Sequence, residues 1–333
     1  MMRFISFIFL LIFSLSYGES FSYRFGRGLF IGNNLWIGSY LSLNYWKKSD
    51  KQSFKFEDLA FLTKFDYKKF RFFSEVEAKN IYLVSDVEKN RYWNFKFEIE
   101  RLFVEYRHSP VFNIRAGRFL TPLGIWNKIH INALKWTVSD PLVSERFFPM
   151  FTTGLKIYGY VSNKRKVKYE LFFQKNKSIN ASYNNLKPDN MLGLQIEKIF
   201  DVNRKTGINV GKFDEKRSNE RYIFLGVYGK TKLKNLFISS EFYYANEKYK
   251  GAGKEHKEHG KIAYYIQGAY RIFPKNYLVL RKDGFYDSSD SKHINVWTFC
   301  YNFRPRFNMS IKAEYQLFEK QKDYIRVSFS ILF

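Results

Sequence analysis

Catalysis or metal binding needs a few reactive groups held at set spacings, and this chain offers few candidates. His256 and His259, flanked by Glu255 and Glu258, have the i, i+3 spacing that could hold a divalent metal on a helix. Lysines interrupt that stretch, and a solvated charged loop tip accounts for it as well. Serines are plentiful, yet none lies in Gly-x-Ser-x-Gly, the turn that exposes a nucleophilic hydroxyl. Gly26-Arg27-Gly28 is not followed by a helical pattern, so it does not read as a phosphate-binding loop. Cys300 stands alone, which excludes an intramolecular disulfide, and its aromatic neighbours give it a packing role. No catalytic residue, metal ligand or cofactor is expected.

The abundant chemistry is charge. Arg71, Lys96, Arg115, Lys156, Lys168, Arg281, Lys312 and Arg326 fall on the polar faces of alternating segments. Glu75, Glu77, Glu98, Glu170, Glu197, Glu241 and Glu314 share those faces, so the wall they form is close to balanced. The formal charge of +25 must then sit mostly in loops, turns and the N-terminal region. A basic chain can meet nucleic acid, an anionic membrane surface such as lipopolysaccharide, or small anions. An export signal argues against nucleic acid. Arg3 gives a positive start, Phe4–Leu15 a short apolar run, and Ser16-Tyr17-Gly18 a small-residue cleavage site. Residues 1–18 are therefore expected to be a cleaved signal peptide, 19–34 an N-terminal extension or extra strand, and 35–333 a single domain.

The elements that position these charges are strands. Phe 37, Tyr 25 and Trp 6 make the chain 20% aromatic, yet the aromatics stand singly between polar residues. Such alternation suits strands with one face in lipid and one in water, and it reconciles the aromatics with a mean hydropathy of −0.39. The clearest case is the C-terminus: Ile325, Val327, Phe329, Ile331 and Phe333 share one face, and Arg326, Ser328 and Ser330 share the other. An ending on Phe329, Ile331 and Phe333 resembles the signal by which the barrel-assembly machinery recognises its clients.

Sixteen strands are expected, starting near Leu35, Phe54, Lys69, Arg91, Val111, Thr153, Val167, Asn190, Gly207, Arg221, Asn235, Lys261, Asn276, Ile294, Phe307 and Asp323. The ambiguous phase near Phe54, Gly207 and Arg221 also admits fourteen. Tight turns at Asp66–Lys68, Ser109-Pro110, Ser162–Lys164, Pro274–Asn276 and Arg304–Arg306 alternate with longer polar stretches, including one at Lys47–Ser53. Phe97 and Ile99 are out of phase with Leu102 and Val104, which predicts a β-bulge near Arg101. The fold class is thus all-β: a closed antiparallel transmembrane barrel. Tyr45, Trp46, Trp93, Tyr106, Tyr277 and Trp297 are candidates for its interfacial aromatic girdles.

One connection stands out. Leu120–Phe151 follows the fifth strand and carries Pro122, Trp126, Trp136, Pro141, Phe147, Phe148 and Pro149. It is too apolar to be a solvated tail, and loops of such length are usually functional. Packed inside the lumen it would narrow a channel, with Lys128, His130, Lys135, Asp140, Glu145 and Arg146 setting a weak preference for anions. Packed outside it would be a cap.

Arg115-Ala-Gly-Arg-Phe-Leu-Thr-Pro-Leu-Gly124, leaving a strand into this loop, resembles a segment of outer-membrane porins of the phosphate-selective (O/P) type. The placement after strand five also resembles general sixteen-stranded porins. The resemblance implies a homotrimeric channel in the bacterial outer membrane for passive diffusion of small hydrophilic solutes and ions. It does not bring phosphate selectivity with it, since no run of pore lysines or arginines aligns. A plugged structural or adhesive barrel and a rim-active hydrolase are the alternatives.

Overall fold

The computed structural model describes residues 20–93, 96–162, 166–175, 177–215, 220–249, 259–289 and 291–333. Residues 1–19, the expected signal peptide, and His256 with Glu255 and Glu258 lie outside them. Two short strands come first, β1 (Phe21–Arg24) and β2 (Gly28–Ile31), followed by β3 (Leu35–Lys48), β4 (Lys51–Tyr67) and β5 (Phe70–Ser85). A two-residue piece, β6 (Arg91–Tyr92), precedes β7 (Lys96–Ser109), β8 (Phe112–Leu120), β9 (Phe151–Ser162) and β10 (Val167–Lys175). Then come β11 (Pro188–Ile199), β12 (Lys205–Glu215), β13 (Glu220–Leu233), β14 (Leu236–Tyr249) and β15 (His259–Phe273). The last four are β16 (Asn276–Asp287), β17 (Lys292–Phe303), β18 (Met309–Phe318) and β19 (Tyr324–Leu332).

Setting aside β1, β2 and β6, the sixteen long strands pair antiparallel with their sequence neighbours. The ring closes where β19 meets β3, Leu332 opposite Tyr40 and Ile325 opposite Lys47. Most predicted starts fall within a few residues of the observed ones. The largest departure is at β7, where Arg91 begins the isolated β6 and the long strand starts at Lys96. The expected polar stretch at Lys47–Ser53 is instead a tight turn at Ser49-Asp50, because β4 runs back to Lys51 and pairs with Lys48. The expected bulge is present: Glu75 stands opposite Arg101 while Val76 stands opposite Ile99, leaving Glu100 as the extra residue.

Polarity decides what kind of barrel this is. On β18, Ser310, Lys312, Glu314 and Gln316 are buried while Ile311, Tyr315 and Leu317 are exposed. On β17, Thr298 and Asn302 are buried while Trp297, Phe299 and Tyr301 are exposed. A barrel standing in water would reverse this. An apolar outer belt with a polar interior is the pattern of a barrel solvated by lipid. Among the described residues no helix is long and apolar enough to cross a membrane.

Residues 21–31 form a hairpin that extends the sheet. β2 pairs with the first residues of β3, Phe30 opposite Trp36, on the edge that β19 leaves open beyond Tyr40. Phe25 at its tip meets the Phe333 ring at 6.2 Å. This hairpin lies beside the seam, next to the C-terminus.

Candidate functional site: the lumen and its long loop

The segment that closes β8 is built to launch the loop. Gly117 sits at φ +131°, where a Cβ would lie 2.2 Å from the Leu102 carbonyl oxygen, so β8 can approach β7 only with glycine here. Arg118 is fully buried; its Nε donates to the Glu100 carbonyl at 3.0 Å, Nη1 reaches Ser178 Oγ at 2.6 Å, and the guanidinium lies 4.2 Å from the Phe151 ring. Asn127 clamps the loop ends together, donating from Nδ2 to the carbonyls of Thr121 (2.8 Å) and Met150 (3.1 Å). Gly124, at φ +64°, has no room for a side chain, since a Cβ would fall 1.8 Å from Glu241 Oε2.

That close approach lets the backbone N–H groups of Ile125 and Trp126 donate to Glu241 Oε1 at 2.9 and 2.8 Å. The same device recurs along the loop. Val138 N–H donates to Glu314 at 2.7 Å and Leu142 N–H to Asp283 at 3.3 Å. The loop's carbonyls go to wall cations. Lys312 Nζ donates to Asn132 O (2.6 Å) and Thr137 O (3.2 Å). Arg281 Nη1 donates to Ser139 O (2.9 Å), and Arg304 to Lys135 O (2.7 Å). Irregular backbone away from water must find partners, and polar side chains on β14, β16 and β18, with Arg304 just after β17, supply them.

Aromatics complete the fit. Phe147 and Phe148 pack on Tyr243 with ring centroids 5.3 Å apart, and Trp126 meets Tyr265 at 6.2 Å. Trp136 packs on Tyr277 at 5.1 Å, so Tyr277 belongs to this contact and not to an outer girdle. Trp46 likewise lines the interior cavity described next, which corrects its girdle assignment. Trp297 is exposed on the outer face as expected.

Between the loop and β3–β5 a cavity of about 320 Å³ stays open. Lys55, Glu57, Asp58, Glu77 and Lys79 line it from the wall and Arg326 from β19. The loop contributes His130, Lys135, Asp140 and Glu145. Lys135 Nζ lies 2.7 Å from Asp140 Oδ1, which also accepts from the Trp126 indole at 2.9 Å. Burial alone would raise the Asp140 carboxyl, but the Lys135 ammonium and these hydrogen bonds hold it below its usual range.

The other predicted charges divide into paired or buried groups and exposed ones. Arg71 pairs with Asp66 at 2.7 Å, and Arg115 Nε with Glu105 at 2.9 Å. Lys156 lies 3.8 Å from Glu170, which also pairs with Lys168. Arg281 is fully buried against Asp283 at 2.7 Å. Lys312 is buried against the loop, and Arg326 donates to Gln316 at 2.9 Å. Lys128 reaches Glu197 at 3.9 Å, and His130 pairs with Glu100. Lys96 is exposed at the start of β7, and Glu145 and Arg146 are exposed on the loop. Phe329 and Ile331 share one face of β19, with Ser328 and Ser330 buried on the other, and Phe333 follows directly after the strand. His259 opens β15 opposite Glu247.

Sequence reading missed Glu57, Asp58, Lys79, Glu100 and Arg101. Register irregularities between Phe56 and Asp58 and between Glu75 and Val76 are what disturb the alternation there. A slip in phase, already visible near Arg101, was the available signal.

No family model matches the chain. A curated, uncharacterized protein of Aquifex aeolicus is 28% identical over 129 residues, 37% of this chain; the chain spans 28% of that relative's length. Solved structures share the fold at low identity. OmpT of Vibrio cholerae in its trimer form superposes with a TM-score of 0.64 and 8% identity, covering 90% of this chain and 99% of that one. An anion-selective porin from Comamonas acidovorans gives the same values. OmpF of Salmonella typhi gives 0.63 and 10% identity over 94% and 100%.

Proposed function

We propose that this closed barrel is a porin of the bacterial outer membrane, with the long loop folded into the lumen to set the passage for small hydrophilic solutes and ions. The observation that carries the reading is the open polar cavity between that loop and β3–β5, inside a barrel whose outer belt is apolar. Passage needs no catalytic group: width selects by size, and fixed charge biases which ions enter. The anion-selective porin among its structural neighbours supports the same class.

Selectivity is weak and tilted to anions in this reading. Loop residues Lys128, Lys135 and Arg146 outnumber Asp140 and Glu145 by one, while Lys55, Lys79 and Arg326 balance Glu57, Asp58 and Glu77 around the cavity. The phosphate-selective resemblance adds no specific solute. Assembly as a homotrimer is proposed by analogy with OmpT, whose structure is described as a trimer form. The cleaved signal, insertion of the last strand by assembly machinery, and contact with lipopolysaccharide belong to the same proposal.

A plugged structural barrel is the second reading, favoured by the dense packing of Leu142, Val143, Phe147 and Phe148 against lumen aromatics. Planar-bilayer recording of the purified mature protein separates the two. Discrete conductance steps with a reversal potential slightly on the anion side are expected; a folded, electrically silent protein would overturn the channel reading.

A further inference from the structure

The bulge on β7 creates something the channel reading does not use. Glu100, the extra residue, is fully buried, and so is Glu75 on the facing strand. His130, carried on the loop, brings its ring to the same place. One potential ligand atom from each of Glu75, Glu100 and His130 lies within 4.8 Å of the others.

The surroundings orient these groups as a metal's outer shell would. One oxygen of each carboxylate is already engaged: Glu75 Oε2 with Arg101, and Glu100 Oε1 with the Tyr183 hydroxyl at 2.5 Å. The oxygens left over are Glu75 Oε1, which has no hydrogen-bond partner although the side chain is entirely buried, and Glu100 Oε2, which faces the His130 Nε2. An orphaned carboxylate oxygen in the interior is costly and calls for a partner.

Charge points the same way. Asp58, Glu75, Glu77 and Glu100 are four carboxylates sharing Lys79 and Arg101, with Lys79 Nζ 3.1 to 3.5 Å from three of them. His130, paired with Glu100, adds a third cation only when protonated; with the imidazole neutral, as a metal ligand must be, two negative charges remain in the cluster. Buried charge persists when it is paired or coordinates a metal.

The geometry points to a divalent-metal site formed by Glu75, Glu100 and His130, which fastens the long loop to the barrel wall. One imidazole with two carboxylates suits a Zn²⁺-like ion better than Ca²⁺, which prefers an all-oxygen shell. Filling it would cancel the two residual charges, which otherwise oppose the positive surplus of the loop.

The test is equilibrium dialysis of the folded, chelator-stripped mature barrel against Zn²⁺ alone, with metal measured by mass spectrometry. The expected result is saturable binding of about one ion per chain, weakened roughly tenfold or more by His130→Gln or Glu75→Gln. Replacing His256 and His259 together should leave it intact. Heat-modifiable mobility reports whether each variant is folded. As a readout free of variants, Zn²⁺ should protect His130 of the wild-type protein from diethyl pyrocarbonate, read by peptide mass. Absence of saturable binding, undiminished affinity in a folded His130→Gln barrel, or loss of binding with His256 and His259 would each overturn the site. The measurement needs no conductance, so its failure and that of the channel reading are separate.

Discussion

At the scale of single residues, the loop depends on a few side chains that could not be exchanged for close relatives. Gly124→Ala would impose a left-handed alanine and push aside the carboxylate that receives two backbone N–H groups. A destabilisation on the order of 1–3 kcal/mol is expected, seen as a lower melting temperature and noisier conductance. Arg281→Met is predicted to be harsher. It removes donors to Thr137 Oγ1 and Ser139 O, and it leaves Asp283 buried without its cation. Breaking such a pair typically costs about 3–5 kcal/mol. Denaturant titration in detergent checks both. A melting temperature unmoved by Arg281→Met would show that the loop is held by its aromatics.

Asp140 gives this scale a pH dependence. Its folded carboxyl titrates below the free one, so the Lys135–Asp140 contribution is complete above the free value, about 4. It is lost as pH falls through the lowered folded value. Open-channel noise is expected to rise below about pH 4 in the wild type, whereas a Lys135→Gln/Asp140→Asn double variant should lack that transition.

At the scale of elements, the strands were legible because a lipid-facing barrel strand repeats every two residues and nothing else in the chain does. The register slip at Arg101 was legible for the same reason, as a break in phase. Trp46 and Tyr277 were misjudged because an aromatic near a strand end looks the same from either face. One meets the cavity and the other meets Trp136 from the loop. The loop's fastening could not be read at all. Contacts such as Val138 N–H to Glu314 or Asn132 Nδ2 to Ser42 Oγ (3.2 Å) join distant positions that only closure of the barrel brings together. The trio Glu75, Glu100 and His130 is hidden likewise, since one member owes its place to a bulge and another to the loop. Lipid-facing positions give the element-scale prediction. Phe329→Arg puts a charge on the outer face of β19, at a cost of roughly 2–4 kcal/mol at mid-depth. It should reduce heat-modifiable protein in the outer membrane. Normal assembly of that variant would count against the strand's orientation.

At the scale of the whole molecule, charge placement matters more than charge total. The chain is strongly basic, yet the wall is a set of local pairs such as Arg71 with Asp66 and Lys156 with Glu170. Neutralising Lys128, Lys135 and Arg146 together should move the reversal potential towards cations, because the loop's small surplus then becomes a deficit. Neutralising Lys135 and Asp140 as a pair should leave it where it was. A shift from the paired change as large as from the triple one would show that selectivity arises elsewhere.

The seam between β3 and β19 has a further consequence, in time and not in space. Residues 40–47 pair with 325–332, so the first barrel strand waits for the last before either edge is satisfied. Neighbouring hairpins can form as the chain arrives, but the contact that makes the structure lipid-worthy has the greatest sequence separation of the strand pairings among the described residues. Loop-closure entropy must be met before that contact returns anything. Until Phe333 has been delivered, the protein is a curling ribbon with two raw edges, each a template for the wrong partner. A chain with this topology cannot mature by degrees. Both edges stay open to other strands until they have found each other.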